Sequence, residues 1–135
     1  MDLKLKDKVV VITGGSEGIG RAAAERFSQE GALVAIASRT QSDLDTVAAE
    51  ISAQSGNEVI GVSTDVRNEH SVKALIENII GHWGRIDVLV NNAGTSSTST
   101  LENLSNEQLD EDINLKVKGA IYCTRHALPH LKESK

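Results

Sequence analysis

The chain has 135 residues, a formal charge of −5, 39% hydrophobic residues and 24% charged residues, which argues against a disordered segment, a membrane span or a general polyanion binder. Phe27, Trp83 and Tyr122 are its aromatic residues, so the core must be aliphatic and stacking platforms for single-stranded nucleic acid are missing. Cys123, the single cysteine, cannot form an internal disulfide, and the start MDLKLKDK lacks the apolar stretch of a secretory signal. The expectation is one cytoplasmic domain with no membrane or nucleic-acid partner.

Residues 8–13 (KVVVIT) form the first of four short aliphatic runs. The others are 32–38, 58–63 and 86–91. Their β-branched content, without polar alternation, suits strands buried on both faces of a parallel sheet. Helical periodicity fills the gaps. Ile19, Ala23 and Phe27 mark a first helix, which Gly31 closes as a C′ glycine. Leu44, Val47, Ala48 and Ile51 mark a second, with Ser42 and Asp45 spaced as a capping box. Val72, Leu75, Ile76 and Ile79 mark a third. After the fourth run, residues 95–100 (TSSTST) read as a mobile loop.

Ser105 and Gln108 then open a long helix. It carries Leu109, Ile113, Val117, Ala120, Ile121, Thr124, Leu128 and Leu131 on roughly one face, and Pro129 is placed to bend its end. The order βαβαβαβα implies right-handed parallel crossovers and a doubly wound α/β sheet.

The first strand runs directly into Thr13-Gly14-Gly15-Ser16-Glu17-Gly18-Ile19-Gly20. Glycines in such a loop permit a sharp turn, bring backbone N–H groups up to a pyrophosphate and let the helix pack close to the strand. The helix N-terminus adds free donors and a favourable dipole, so an acidic chain can still bind an anionic cofactor locally. The spacing is G-x-x-x-G-x-G, and there is no Gly-Lys-Ser/Thr ending, which excludes a P-loop for nucleoside triphosphates. A purely structural turn is the competing reading.

Thr13–Gly20, Asp65-Val66 after the third run, Asn91-Asn92-Ala93-Gly94 after the fourth and Asn114 within INLKVKGA occur in one register. Together they resemble the short-chain dehydrogenase/reductase family, in particular its 3-oxoacyl-(acyl-carrier-protein) reductase-like members. The resemblance implies a Rossmann fold with strand order 3-2-1-4 and a nicotinamide dinucleotide cofactor. Gly14, Ser16, Glu17, Gly18, Ile19 and Gly20 would surround the pyrophosphate and adjacent ribose. Asp65 would accept from the adenine amino group and Val66 would line the ring. Asn92, Ala93 and Gly94 would lie against the cofactor ribose while also bracing the sheet. Asn114 matches the catalytic asparagine whose main chain holds a water in the proton relay.

Cofactor choice falls to Ser38, Arg39 and Thr40 at the end of the second strand. An Asp there would bind the ribose hydroxyls of NAD and repel a 2′-phosphate. Arg39 instead offers planar, charge-assisted donors, which favours NADP(H) over NAD(H). Glu17 runs against this preference, and a solvated surface arginine is the ordinary alternative.

The family's active site also needs a Ser and a Tyr-x-x-x-Lys pair. Tyr122 is followed four residues later by His126, and reads as a packing residue. The resemblance therefore implies that residues 1–135 are the cofactor-binding half of an oxidoreductase acting on a ketone or secondary alcohol. The domain would be incomplete at its C-terminus, with the fourth strand an exposed edge, and inactive alone. A possible homo-oligomer follows from the family. The alternative is a non-catalytic nucleotide-binding or interaction module completed by an oligomer or a second chain. His126 and His130 share a helix face without a third ligand in view, so no metal site is expected. His70 and His82 fall near helix ends, and Cys123 reads as a small buried side chain.

Overall fold

The computed structural model describes residues 1–94 and 99–134. Residues 95–98, within the expected hydroxyl-rich loop, lie outside the described residues. The strands are β1 (Val9–Thr13), β2 (Leu33–Ser38), β3 (Val59–Ser63) and β4 (Val88–Val90). All pairings are parallel and the order is β3-β2-β1-β4, the expected doubly wound arrangement. Helices α1 (Gly18–Gln29), α2 (Gln41–Ser55) and α3 (Glu69–Trp83) make the crossovers.

Strand alternation sends two sets of side chains to two separate cores. Val10, Ile12, Val34 and Ile36 pack with Ala24 of α1 and with Leu44, Val47, Ala48 and Ile51 of α2. Val9, Val11, Ala35 and Ala37 pack on the other face with Leu75, Ile76, Ile79 and Ala127. β1 is fully buried because it lies between β2 and β4 and is covered on both faces. Truncating Ile12 to Ala would cost about 2–5 kcal/mol at such a site. Among the described residues β4 pairs only with β1, and it is half-buried along its length. Ile86 is buried but precedes the strand, so the fourth run is shorter than its 86–91 pattern suggests.

Several helix boundaries are local and follow the sequence. Gly31 has a φ of +91° just beyond the Glu30 cap of α1. Asn68 caps α3 by accepting from the Ser71 N–H. Ser105 and Gln108 form a reciprocal capping box at the start of α4 (Asn106–Asp112).

The expected box at α2 does not form. Thr40 is its N-cap, without a side-chain cap bond, and Ser42 lies inside the helix. The Gln41 amide explains the change: it donates to Asp45 at 2.8 Å and to the Gly61 carbonyl at 2.9 Å, and accepts from the Ser63 N–H at 2.9 Å. Asp45 is thereby engaged by a strap between α2 and β3.

The long C-terminal helix also departs from its sequence pattern. α4 continues into a π-helical segment (Ile113–Lys118) and then α5 (Gly119–Glu133), which runs on through Pro129. Leu109, Ile113, Val117, Ile121 and Leu128, expected on a packed face, are exposed. The buried line of α5 is Gly119, Cys123 and Ala127, small residues at intervals of four. Small side chains let α5 approach closely: a Cβ on Gly119 would sit 2.8 Å from Cγ2 of Val66. Among the described residues no helix is long and apolar enough to cross a membrane.

Candidate nucleotide site

The crossovers run outward from β1 through β2 to β3, and the next one returns from β3 past β1 to place β4 on its other side. This reversal opens a crevice beyond the C-terminal strand ends, the place where open α/β sheets bind ligands. A cavity of about 530 Å³ occupies it.

Its floor is the glycine loop. The Gly14 N–H donates to the Ala37 carbonyl at 2.7 Å, which carries the chain across the end of β2. Gly14 has a φ of +67°, and a Cβ there would lie 3.0 Å from Cα of Ala93. At Gly20 a Cβ would run into the Gly14 carbonyl oxygen, so the first turn of α1 folds under the loop only with glycine at this position.

β4 is tied to the loop by polar contacts. The Thr13 hydroxyl accepts the N–H groups of Asn92 and Ala93, each at 3.0 Å, and donates to the Val90 carbonyl at 3.4 Å. The Asn92 side-chain amide donates to the Gly14 carbonyl at 3.1 Å. Asn92 and Ala93 are therefore sheet braces and cavity wall at once.

Gly14, Ser16, Glu17, Gly18 and Ile19 line one side of the cavity, and Ser38 and Arg39 stand at the end of β2. Asp65, Val66, Asn92, Ala93 and Gly94 also line it. Ile19 is 82% exposed, a large apolar side chain left open at the start of α1. The Arg39 guanidinium makes no hydrogen bond or ion pair among the described residues.

Two predicted cofactor residues do not line the cavity. Gly20 is buried beneath the loop, and Thr40 caps α2. Asn114 also stands off it, while the next residue, Leu115, lines the wall. Asn114 lies in the π segment, where its carbonyl accepts the Gly119 N–H. Single π turns inside α-helices are frequent at functional sites.

Asp65 is held at every polar group. Its N–H donates to the Ser71 hydroxyl at 3.0 Å, and its carbonyl accepts the Asn68 N–H at 3.0 Å. Hydrogen bonds from Arg67 hold its carboxyl below the usual carboxylate range, against the opposing effect of partial burial. Asp65 and Glu111 in turn raise the Arg67 guanidinium above its ordinary value.

Residues 8–135 match the short chain dehydrogenase family. The chain belongs to this family. It is 35% identical over 133 residues to meso-2,3-butanediol dehydrogenase of Serratia marcescens, covering 98% of this chain and 52% of that protein. L-Sorbose reductase from Gluconobacter frateurii, solved with NADPH and L-sorbose, superposes with a TM-score of 0.93 at 35% identity, over 98% of this chain and 51% of that one. An alcohol dehydrogenase from the archaeon Thermococcus sibiricus, complexed with 5-hydroxy-NADP, gives 0.91 at 33% identity, over 96% and 55%. The chain spans about half the length of the curated relatives it matches.

Within this member of the family the sequence pattern missed residues whose partners lie far along the chain. Thr13 stands in the glycine motif, but its hydroxyl role needs β4 alongside. Gly119 and Leu115 enter through the π segment, which no periodicity signals. Arg67, two residues beyond Asp65, reads as an ordinary charge until Glu111 is brought opposite it at 2.6 Å. Tyr122 packs against the Val66, Val72 and Cys123 cluster, with Arg125 5.9 Å from its ring, in keeping with a packing role. His126 contacts Glu69 at 3.1 Å, and among the described residues no three His, Cys, Asp or Glu side chains group as metal ligands.

Proposed function

We propose that this chain carries the dinucleotide-binding part of an NADP(H)-dependent oxidoreductase that interconverts a ketone and a secondary alcohol. The observation that carries the reading is the cavity at the sheet's switch point, with the glycine loop on one side and Asp65 and Val66 on the other. Its residues fit the cofactor: free backbone groups at the start of α1 for pyrophosphate, an acceptor for the adenine amino group, and Arg39 for a 2′-phosphate. When bound, the nicotinamide supplies or accepts the hydride.

The chain's own residues bind and orient. Gly14, Ser16, Gly18 and Ile19 take the pyrophosphate and ribose. Asn92, Ala93 and Gly94 take the second ribose side, and Asn114 offers its main chain to a water in the proton relay. A general acid is still required to protonate the carbonyl oxygen. Tyr122 is not positioned for it: it stands on α5, half-buried against the Val66 cluster, and does not line the cavity. The polypeptide of these 135 residues therefore binds dinucleotide without turning over a carbonyl.

Fluorescence titration with NADPH and NADH tests this. NADPH is expected to bind tighter, and Arg39→Ala to weaken NADPH by about ten-fold while leaving NADH unchanged. Equal or tighter NADH binding by the wild-type chain would overturn the NADP(H) preference. Carbonyl reduction by the 135-residue polypeptide would overturn the assignment of roles.

A further inference from the structure

Asp65 lines the cavity, yet most of the hydrogen-bonding capacity of its carboxylate is already committed. Arg67 donates to Oδ1 from both its backbone N–H and its Nε, each at 3.0 Å. Its Nη2 donates to Oδ2 at 3.1 Å. An ionised carboxylate has about four acceptor positions. Arg67 fills three of them, so both positions on Oδ1 are taken and one remains on Oδ2. The fork cannot pivot freely, because Nη1 is anchored at 2.6 Å to Glu111 at the far end of α4. Arg67 itself is not part of the cavity wall.

We propose that Arg67 is a positioning residue for base recognition: by saturating Oδ1 and half of Oδ2 it leaves Asp65 a single directed acceptor, which selects a purine carrying a 6-amino group. The inference rests on the dinucleotide-site reading above. A carboxylate free to rotate would present any of its acceptors, or draw water to them, and would discriminate less between adenine and a base with a 6-oxo group. Planarity and the bidentate fork are what the role requires, so lysine cannot replace arginine here.

Calorimetric titration of the full chain with ADP and with IDP reads this directly. The two ligands differ only at the purine base, and neither carries a 2′-phosphate for Arg39. Wild type is expected to prefer ADP by about ten-fold, as for one hydrogen bond to a charged acceptor. Arg67→Ala and Arg67→Lys should each cut the preference to below about three-fold with IDP affinity within about two-fold of wild type, a selective loss that general damage to the pocket would not give. Should the alanine variant fail to fold by circular dichroism, the lysine variant, which retains the charge, decides the matter. Wild-type discrimination persisting in Arg67→Lys would overturn the inference.

Two arms separate the failure of the underlying reading. If wild type binds neither nucleotide nor NADPH, the cavity is not a dinucleotide site, and the Arg67 role falls with it. If wild type binds both nucleotides equally and Asp65→Ala changes nothing, Asp65 is not the adenine acceptor and Arg67 has nothing to position.

Discussion

The Thr13 hydroxyl joins the glycine loop to β4, and replacing Thr13 with valine removes that oxygen at nearly constant shape. The residue is 1% exposed, and its oxygen accepts two N–H groups at 3.0 Å. Valine leaves both donors facing a methyl group. An unsatisfied buried donor costs about 1–3 kcal/mol. Asn92 and Ala93 are only part-buried, so the lower half of that range applies and the sum is about 2–4 kcal/mol. That is a large share of the roughly 5–15 kcal/mol typical of a folded domain, and it lowers Tm on the order of 10 °C. Thr13→Ser retains the oxygen, loses one methyl group and should cost about 1 kcal/mol. Urea denaturation of the three proteins, with thermal melts alongside, measures the difference. A valine variant within about 0.5 kcal/mol of wild type, or a serine variant as damaged as the valine one, would refute the hydroxyl's role at the junction.

Gly20→Ala places a Cβ on the Gly14 carbonyl oxygen, a backbone atom that cannot swing aside. A cost of about 1–3 kcal/mol and loss of NADPH binding are expected, and titration of a variant that still binds normally would contradict the cradle geometry. At Asp87, burial raises the carboxyl pKa, but hydrogen bonds from Arg85 and the Val9 N–H outweigh it and hold the group below its ordinary value. Its contribution is thus full above the unfolded pKa of about 3.9 and is lost as pH falls through the lowered folded value; Asp87→Asn should flatten the acid limb of the stability curve in urea melts. Burial pushes the Cys123 thiol up to about 11, so a disulfide reagent at pH 8 should leave the folded chain unmodified and react promptly in urea. Fast labelling of the native protein would show that α5 is not packed as described.

The strands and crossovers were legible because a two-sided sheet writes itself as consecutive Val, Ile and Ala, and the amphipathic helices between them keep a 3.6-residue period. The glycine loop was legible for a related reason: the positive φ of Gly14 and Gly18 and the clearance of Gly20 from the Gly14 carbonyl are set within eight residues of chain, although Gly14 also meets Ala93 just beyond β4. Ser105 with Gln108 formed its box, since both partners sit in one helical turn. Ser42 with Asp45 had the same spacing and failed, because Gln41 reaches across to β3 and takes Asp45 as its own partner. The apolar stripe of the last helix misled in the same way. Its period was real, but the π segment and the close approach of Gly119 to Val66 turn small residues inward and leave Ile113, Val117 and Ile121 exposed.

By itself, then, the sequence determined the parallel sheet, its doubly wound character and most of the residues that line the cavity, though not Leu115. Only the tertiary structure decided which of those residues brace and which face the crevice. Thr13 meets Asn92 across 79 positions, and Arg67 meets Glu111 across 44. Such pairings depend on how β4 and α4 are laid against the glycine and Asp65 loops, a geometry set by packing of the whole sheet rather than by any local pattern.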